Sequence, residues 1–310
     1  MAEAAAPPRT FTRWLPYTVL MTAVTILSFG AIFVRYAQAE GVPSMAIAAL
    51  RVLFAAGLLA PLVVARHAAE LRRIAVRDAA LAGLAGALLA LALTMMFFSL
   101  EHTTILLTNL MTNSSPLWVA IMEVAILKAF LSKRVWMGIL LALAGMVMFA
   151  LAGLDGGGDM GSDPILGGGI ALLSAFIAAI YFIVGRTVRA RVSTLVFLWI
   201  GLVAGAGVML VINLVAGTSL TGYSLEGYAL ILIVTITGQL VGQAMLAYCL
   251  AHFPATFVSI ALQMLVILSA LEAFFVFGEQ PGPLQILASV VILAGVIMVI
   301  TGRNPVLVKQ

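Results

Sequence analysis

The chain has little charge, one cysteine and three histidines. Asp, Glu, Lys and Arg make up 9% of its 310 residues, against 64% hydrophobic, and the mean hydropathy is +1.19. A soluble domain carries about 25% charged residues, so no water-facing surface can be built here and the solvent must be lipid. The lone Cys249 excludes a disulfide framework and a Cys-based zinc site, and reads as a small apolar filler. His67, His102 and His252 fall near span ends or in loops, with no paired intramembrane Asp and no Gly-x-Ser-x-Gly elbow. Metal or acid–base chemistry inside spans would need such clusters. Neither an enzyme nor a cofactor is expected.

What is present is a series of long apolar runs. A span needs about 20 apolar residues with every backbone group bonded inside its own helix. The runs fall at 16–36, 44–65, 79–99, 104–127, 135–152, 165–184, 195–216, 228–250, 255–277 and 284–301. Arg9 and Arg13 ahead of the first run, with Ala37-Gln38-Ala39 after it, have the outline of a secretion signal. That run exceeds the usual apolar stretch of a signal, so it reads as a retained span. The connections are short, leaving no room for the output domain of a receptor.

Net charge is +4 and the isoelectric point about 9.5. The basic residues sit in short clusters between runs, which points to membrane orientation and away from nucleic acid. With the N-terminus inside, the inside segments hold Arg9 and Arg13; Arg66, Arg72, Arg73 and Arg77; Lys128, Lys133 and Arg134; Arg186, Arg189 and Arg191; and Arg303 and Lys309. These are 14 of the 16 Lys and Arg residues. The outside segments hold none, only Glu40, Glu101, Asp155, Asp159, Asp163, Glu226 and Glu279. That asymmetry predicts cytoplasmic termini and a multi-pass protein of a cell inner (plasma) membrane. The partners expected are lipid and a small-molecule substrate, for a monomer or a homodimer.

The sequence also repeats itself at an offset near 150. Phe98-Ser99-Leu100-Glu101-His102 aligns with Tyr248-Cys249-Leu250-Ala251-His252, and Leu143-Ala144-Gly145-Met146-Val147-Met148 with Leu293-Ala294-Gly295-Val296-Ile297-Met298. Each half has five spans, an odd number, so the second enters the membrane upside down. The expectation is an all-α membrane protein of ten transmembrane helices in two inverted five-helix repeats. Residues 1–15 form an N-terminal tail, 16–152 the first repeat, 153–164 a periplasmic linker, 165–301 the second repeat and 302–310 a C-terminal tail. Inverted repeats of this kind underlie alternating access in many secondary transporters.

On these residues the chain resembles the drug/metabolite transporters of the EamA type. The resemblance rests on Ser28-Phe29-Gly30-Ala31-Ile32-Phe33-Val34-Arg35, on Ala48-Ala49-Leu50-Arg51-Val52-Leu53 and on Ser115-Pro116-Leu117-Trp118-Val119-Ala120. In the second half it rests on the run from Pro254-Ala255-Thr256 to Phe277-Gly278-Glu279, followed by Leu293-Ala294-Gly295. It implies export or exchange of small solutes such as amino acids, drugs or sugar-linked metabolites, with the aromatic amino acid exporters the preferred comparison. Two features depart from the pattern. The family's Gly-Glu after the fourth span is Lys128-Ala129 here, and Pro116 of the fourth span has Val266 as its repeat mate. Symmetric roles for the halves are therefore not expected.

Polar groups in spans cost a few kcal/mol each unless paired or wetted, and so point to the pathway. In the fourth span Asn109, Thr112, Asn113 and Pro116 recur at helical spacing, and Pro116 frees a carbonyl four residues back. In the eighth span Thr235, Gln239 and Gln243 share a face; in the ninth, Ser259 and Gln263 are repeat mates of Asn109 and Asn113. A shared central cavity explains this symmetry, and interhelical hydrogen bonding is the plainer alternative. Trp118, Tyr181, Trp199 and Tyr248 are candidate aromatic walls or interfacial belt residues. Arg51, about 10 Å into its span, either meets a substrate carboxylate, pairs with an outer carboxylate or snorkels. Glu123 and Glu272, near-mates in the fourth and ninth spans, either carry a coupling proton or cation or reach the headgroups. Gly201-xxx-Gly205 and Gly238-xxx-Gly242 read as close helix contacts. One candidate cation suits no bulky phosphorylated substrate, and off-centre carboxylates suit no cationic drug. Neutral or zwitterionic solutes, amino acids among them, are left, with a drug or sugar-linked metabolite carrier or a passive channel as alternatives.

Overall fold

A computed structural model describes residues 10–103, 105–151, 163–277 and 282–302. These are helical throughout apart from short turns, with no strand among them. The ten spans are α1 (Thr10–Ala39), α2 (Ser44–Arg73), α3 (Val76–Leu100), α4 and α5 (Ile105–Thr112 and Ser115–Leu127), α6 (Lys133–Leu151), α7 (Pro164–Arg189), α8 (Thr194–Ala216), an eighth built from α9 (Leu225–Val234), a π-helical stretch (Thr235–Gly242) and α10 (Gln243–His252), a ninth built from α11 and α12 (Ala255–Ala261 and Met264–Phe277), and α13 (Pro283–Thr301). Nine of these are long and apolar enough to cross a membrane by length and composition. The tenth, α6, has no charged residue from Val135 to its end at Leu151.

Several helices overrun their apolar runs. The first begins at Thr10, inside the expected tail, and α2 continues to Arg73, eight residues beyond the run that ended at 65. Hydropathy reports the thickness of the hydrocarbon, whereas helical hydrogen bonding continues into the headgroup layer. The expected linker lies outside the described residues except for its end, where Asp163 caps α7 by accepting from the Leu166 N–H at 3.0 Å ahead of Pro164 at the first helical position. The expected C-terminal tail beyond Gly302 and the Gly278-Glu279 pair also lie outside the described residues.

The packing repeats with the sequence. The third span lies along α7, and its mates, the eighth span and α1, lie along each other; α5 on α7 is matched by α12 on α1. The pairs α2–α8 and α6–α13 are each mates of themselves. At the α6–α13 crossing the correspondence reaches single atoms. A Cβ on Gly145 would lie 2.8 Å from the Ile292 nitrogen and 3.0 Å from the Ala288 carbonyl; one on Gly295 would lie 2.5 Å from the Ala142 nitrogen and 2.7 Å from the Gly138 carbonyl. Each contact maps onto the other by 150 residues. Only glycine permits both approaches.

Both halves carry a helix break in the corresponding span, with or without a proline. Pro116 breaks the fourth span at Asn113-Ser114, and the ninth span, without a proline, breaks at Leu262-Gln263, one residue out of exact register. Both breaks tighten into 3₁₀-type bonds: Ser114 N–H to Met111 at 3.1 Å and Gln263 N–H to Ile260 at 3.1 Å. Proline is one cause of a helix break, and packing at the symmetry axis supplies another.

Candidate functional site

The repeat mates Asn113 and Gln263 meet. The Gln263 Nε2 donates to the Asn113 backbone carbonyl at 2.6 Å, so the two broken spans touch where the halves face each other. Gln263 is 2% exposed and Asn113 is half-buried. Asn113 Nδ2 donates back to the Asn109 carbonyl at 2.8 Å and Thr112 Oγ1 to the Thr108 carbonyl at 2.8 Å. Ser259 is buried and bonded to the Thr256 carbonyl at 3.0 Å, while Asn109 is exposed. Pro116 is buried at the head of α5.

A second polar group lies apart from that contact. Gln239, in the π-helical stretch, and Gln243, just after it, line one cavity of about 40 Å³ with Tyr181, Phe197, Leu89 and Leu198. Ligand pockets run to roughly 300–1,000 Å³, so this cavity is too small here for a solute of amino-acid size. Thr235, on the same span, is buried and bonded to the Ile231 carbonyl at 2.8 Å. Of the aromatic candidates, Tyr181 is in the cavity wall. Trp118 packs edge-on against Phe176 with its Nε1 enclosed, Trp199 donates to the Ala56 carbonyl at 3.2 Å, and Tyr248 stacks on His252 at 4.1 Å between ring centroids.

The two near-mate carboxylates have diverged. Glu123 is fully buried and reaches no headgroup, correcting that alternative. It pairs with Arg186 of α7 and accepts from the Ala255 N–H at 3.1 Å, the Thr256 N–H at 3.0 Å and the Thr256 hydroxyl. Its carboxylate thus ties the fourth, sixth and ninth spans together at the end of the bundle that carries the basic loops. Glu272 is 9% exposed and faces α1: Ser28 Oγ lies 2.5 Å from its Oε1, while its Oε2 is enclosed without a partner among the described residues. Arg51 is half-buried, one turn from the nearly fully buried Ile47 and Ala55 on either side. Its Nε is enclosed without an acceptor, and no carboxylate among the described residues pairs with it.

Comparison with known proteins agrees with this architecture. The model of the EamA-like transporter family matches twice, over residues 14–151 and 165–301. The chain belongs to the EamA-like transporter family. Among solved structures, one described as "Crystal structure of protein" is similar in fold, with a TM-score of 0.74 and 20% identity, covering 92% of this chain and 96% of that one. No curated protein matches.

In this EamA-like transporter, sequence reasoning missed the partners more than the principals. Arg186 and Arg189 counted only as orientation charges. Arg186 holds Glu123, and Arg189 donates through Nε to the Ala247 carbonyl at 2.9 Å and through Nη2 to Thr194 at 2.6 Å. Ser28 stood out only as part of a motif; its spacing of seven from Arg35 was a signal that the two share a face of α1. The Gly238-xxx-Gly242 contact is corrected in part: Gly242 abuts Leu27, but nothing lies within 4 Å of a Cβ at Gly238.

Proposed function

We propose that this transporter exports or exchanges amino acids or related neutral and zwitterionic solutes across a cell inner membrane, by alternating access between its two halves. The observation that carries the reading is the mated pair of breaks at Asn113 and Gln263. Two inverted halves hinged in corresponding spans, and in contact there, can exchange an opening on one side for an opening on the other. Amide side chains at Gln239 and Gln243 supply both donors and acceptors without net charge, which suits a zwitterion or polyol more than an ion. Arg51, inward-facing and without a carboxylate partner among the described residues, is the group that would take the substrate's carboxylate. Asn109, Thr112, Ser259, Trp118 and Tyr248 belong to the same proposed pathway, with Pro116 as its kink.

The test is uptake by purified protein in liposomes, screened across amino acids with and without counter-substrate inside. Saturable uptake stimulated by counter-substrate is expected, and non-saturable flux would identify a channel. Asn113→Ala, Gln243→Ala and Gln263→Ala should each lower uptake at least about tenfold, the cost of roughly 1.4 kcal/mol. Unchanged uptake in all three would remove the central pathway.

A further inference from the structure

Ser28 has one hydroxyl proton and two neighbours that would accept it: the Thr25 carbonyl at 2.8 Å and Glu272 Oε1 at 2.5 Å. Shared between both, it would make two weakened three-centre bonds, which does not fit a separation as short as 2.5 Å. Both contacts are satisfied only if the carboxyl brings its own proton, in a chain from the Glu272 acid O–H to Ser28 Oγ and from the Ser28 O–H to the Thr25 carbonyl. The remaining Oε2 is then a neutral carbonyl oxygen, whose lack of a partner costs far less than an unpaired buried charge.

The surroundings agree. On α1 the titratable and charged groups are Arg13, Tyr17, Arg35 and Tyr36, α11 and α13 carry none, and α12 has Glu272 itself; among the described residues the side chain bonded to Glu272 is that of Ser28. Arg35, on the face of α1 that holds Ser28, lies two turns or about 10 Å further along. The near-mate Glu123 is the opposite case, held as a carboxylate by Arg186 and three further donors. Duplicated halves thus carry one carboxyl built to stay charged and one built to hold a proton.

We propose that Glu272 is a proton-binding site of this transporter, occupied in the conformation described here and emptied when α1 and α12 part. Glu272 lies five residues, about 8 Å, from the end of α12 at Phe277, so the released proton passes to water entering at that end of the bundle. Coupling to a solute rests on the carrier reading above; the protonation itself does not.

The experiment is infrared spectroscopy of the purified full-length protein in phosphatidylethanolamine–phosphatidylglycerol vesicles, titrated from mildly acid to mildly alkaline. A protonated-carboxyl C=O band is expected at neutral pH. It should vanish in Glu272→Gln, persist in Glu123→Gln and move to higher frequency in Ser28→Ala, which removes the acceptor while leaving the acid in place. A band unaffected by Glu272→Gln, or one lost in Glu123→Gln instead, overturns the proposal. Because no solute is needed, failure of the transport screen leaves this result standing. A band that behaves as expected without counter-substrate-stimulated uptake would count against the carrier reading alone.

Discussion

Single residues in this protein acquire their meaning from partners far away in the chain, 132 and 133 positions for the amides that Glu123 accepts from. Glu123 was legible as an intramembrane carboxylate, but two chemical types of partner decide its role: the Arg186 guanidinium and the amide groups that open α11. Removing one partner of a buried pair leaves the other uncompensated and costs about 3–5 kcal/mol. Arg186→Ala, which leaves the fully buried Glu123 without its guanidinium, is therefore expected to lower thermal stability in detergent by about that much. The Glu123→Ala/Arg186→Ala pair should cost less than the sum of its parts. Strictly additive melting shifts would show that the pair is not coupled. Lys128, standing where the family has glycine, ends α5 in the left-handed region at φ 51°, with its cap N–H and that of Ala129 returning to the Glu123 carbonyl. A lysine there carries about 1–2 kcal/mol of steric cost that glycine would avoid.

Helices are where composition speaks most clearly and where local geometry escapes it. Ten apolar runs became ten spans, because lipid leaves the backbone no alternative to internal hydrogen bonds. The break in the ninth span and the π-helical stretch at Thr235–Gly242 were not legible: neither has a proline, and the glycines at 238 and 242 read as helix contacts. Small-residue spacing was informative only in part. A Cβ on Gly86 would collide with the Gly201 backbone of α8, whereas one on Gly238 meets nothing. Gly86→Ala should then cost roughly 1–3 kcal/mol through overpacking, while Gly238→Ala stays within about 0.5 kcal/mol, both read as melting temperatures in the same detergent. Equal shifts for the two would contradict the close α3–α8 crossing.

At the scale of the whole molecule, the two matched segments and the mated contacts make one structural unit repeated at 150 residues. Five spans per unit require opposite insertion, and the basic loops predict which side each faces. A cysteine placed in the 153–164 linker should react with a membrane-impermeant maleimide added outside intact cells. One placed beside Lys309 should react only after permeabilisation. The native Cys249 is buried and should contribute little background. Labelling with the two sides exchanged would invert the topology and with it the direction of the proposed export.

What the sequence determined by itself was the solvent, the number of spans, the repeat and the polar residues eligible for a pathway. Each of these follows from local composition against a slab of fixed thickness. Only the tertiary structure decided that Asn113 meets Gln263, that Gln239 and Gln243 share a separate cavity, and that Glu123 is paired with Arg186 while Glu272 meets Ser28. The reason is physical. The apolar periodicity of a membrane helix is nearly the same toward lipid as toward a neighbouring helix, so it cannot say which polar faces will be brought together, and only packing between the halves can.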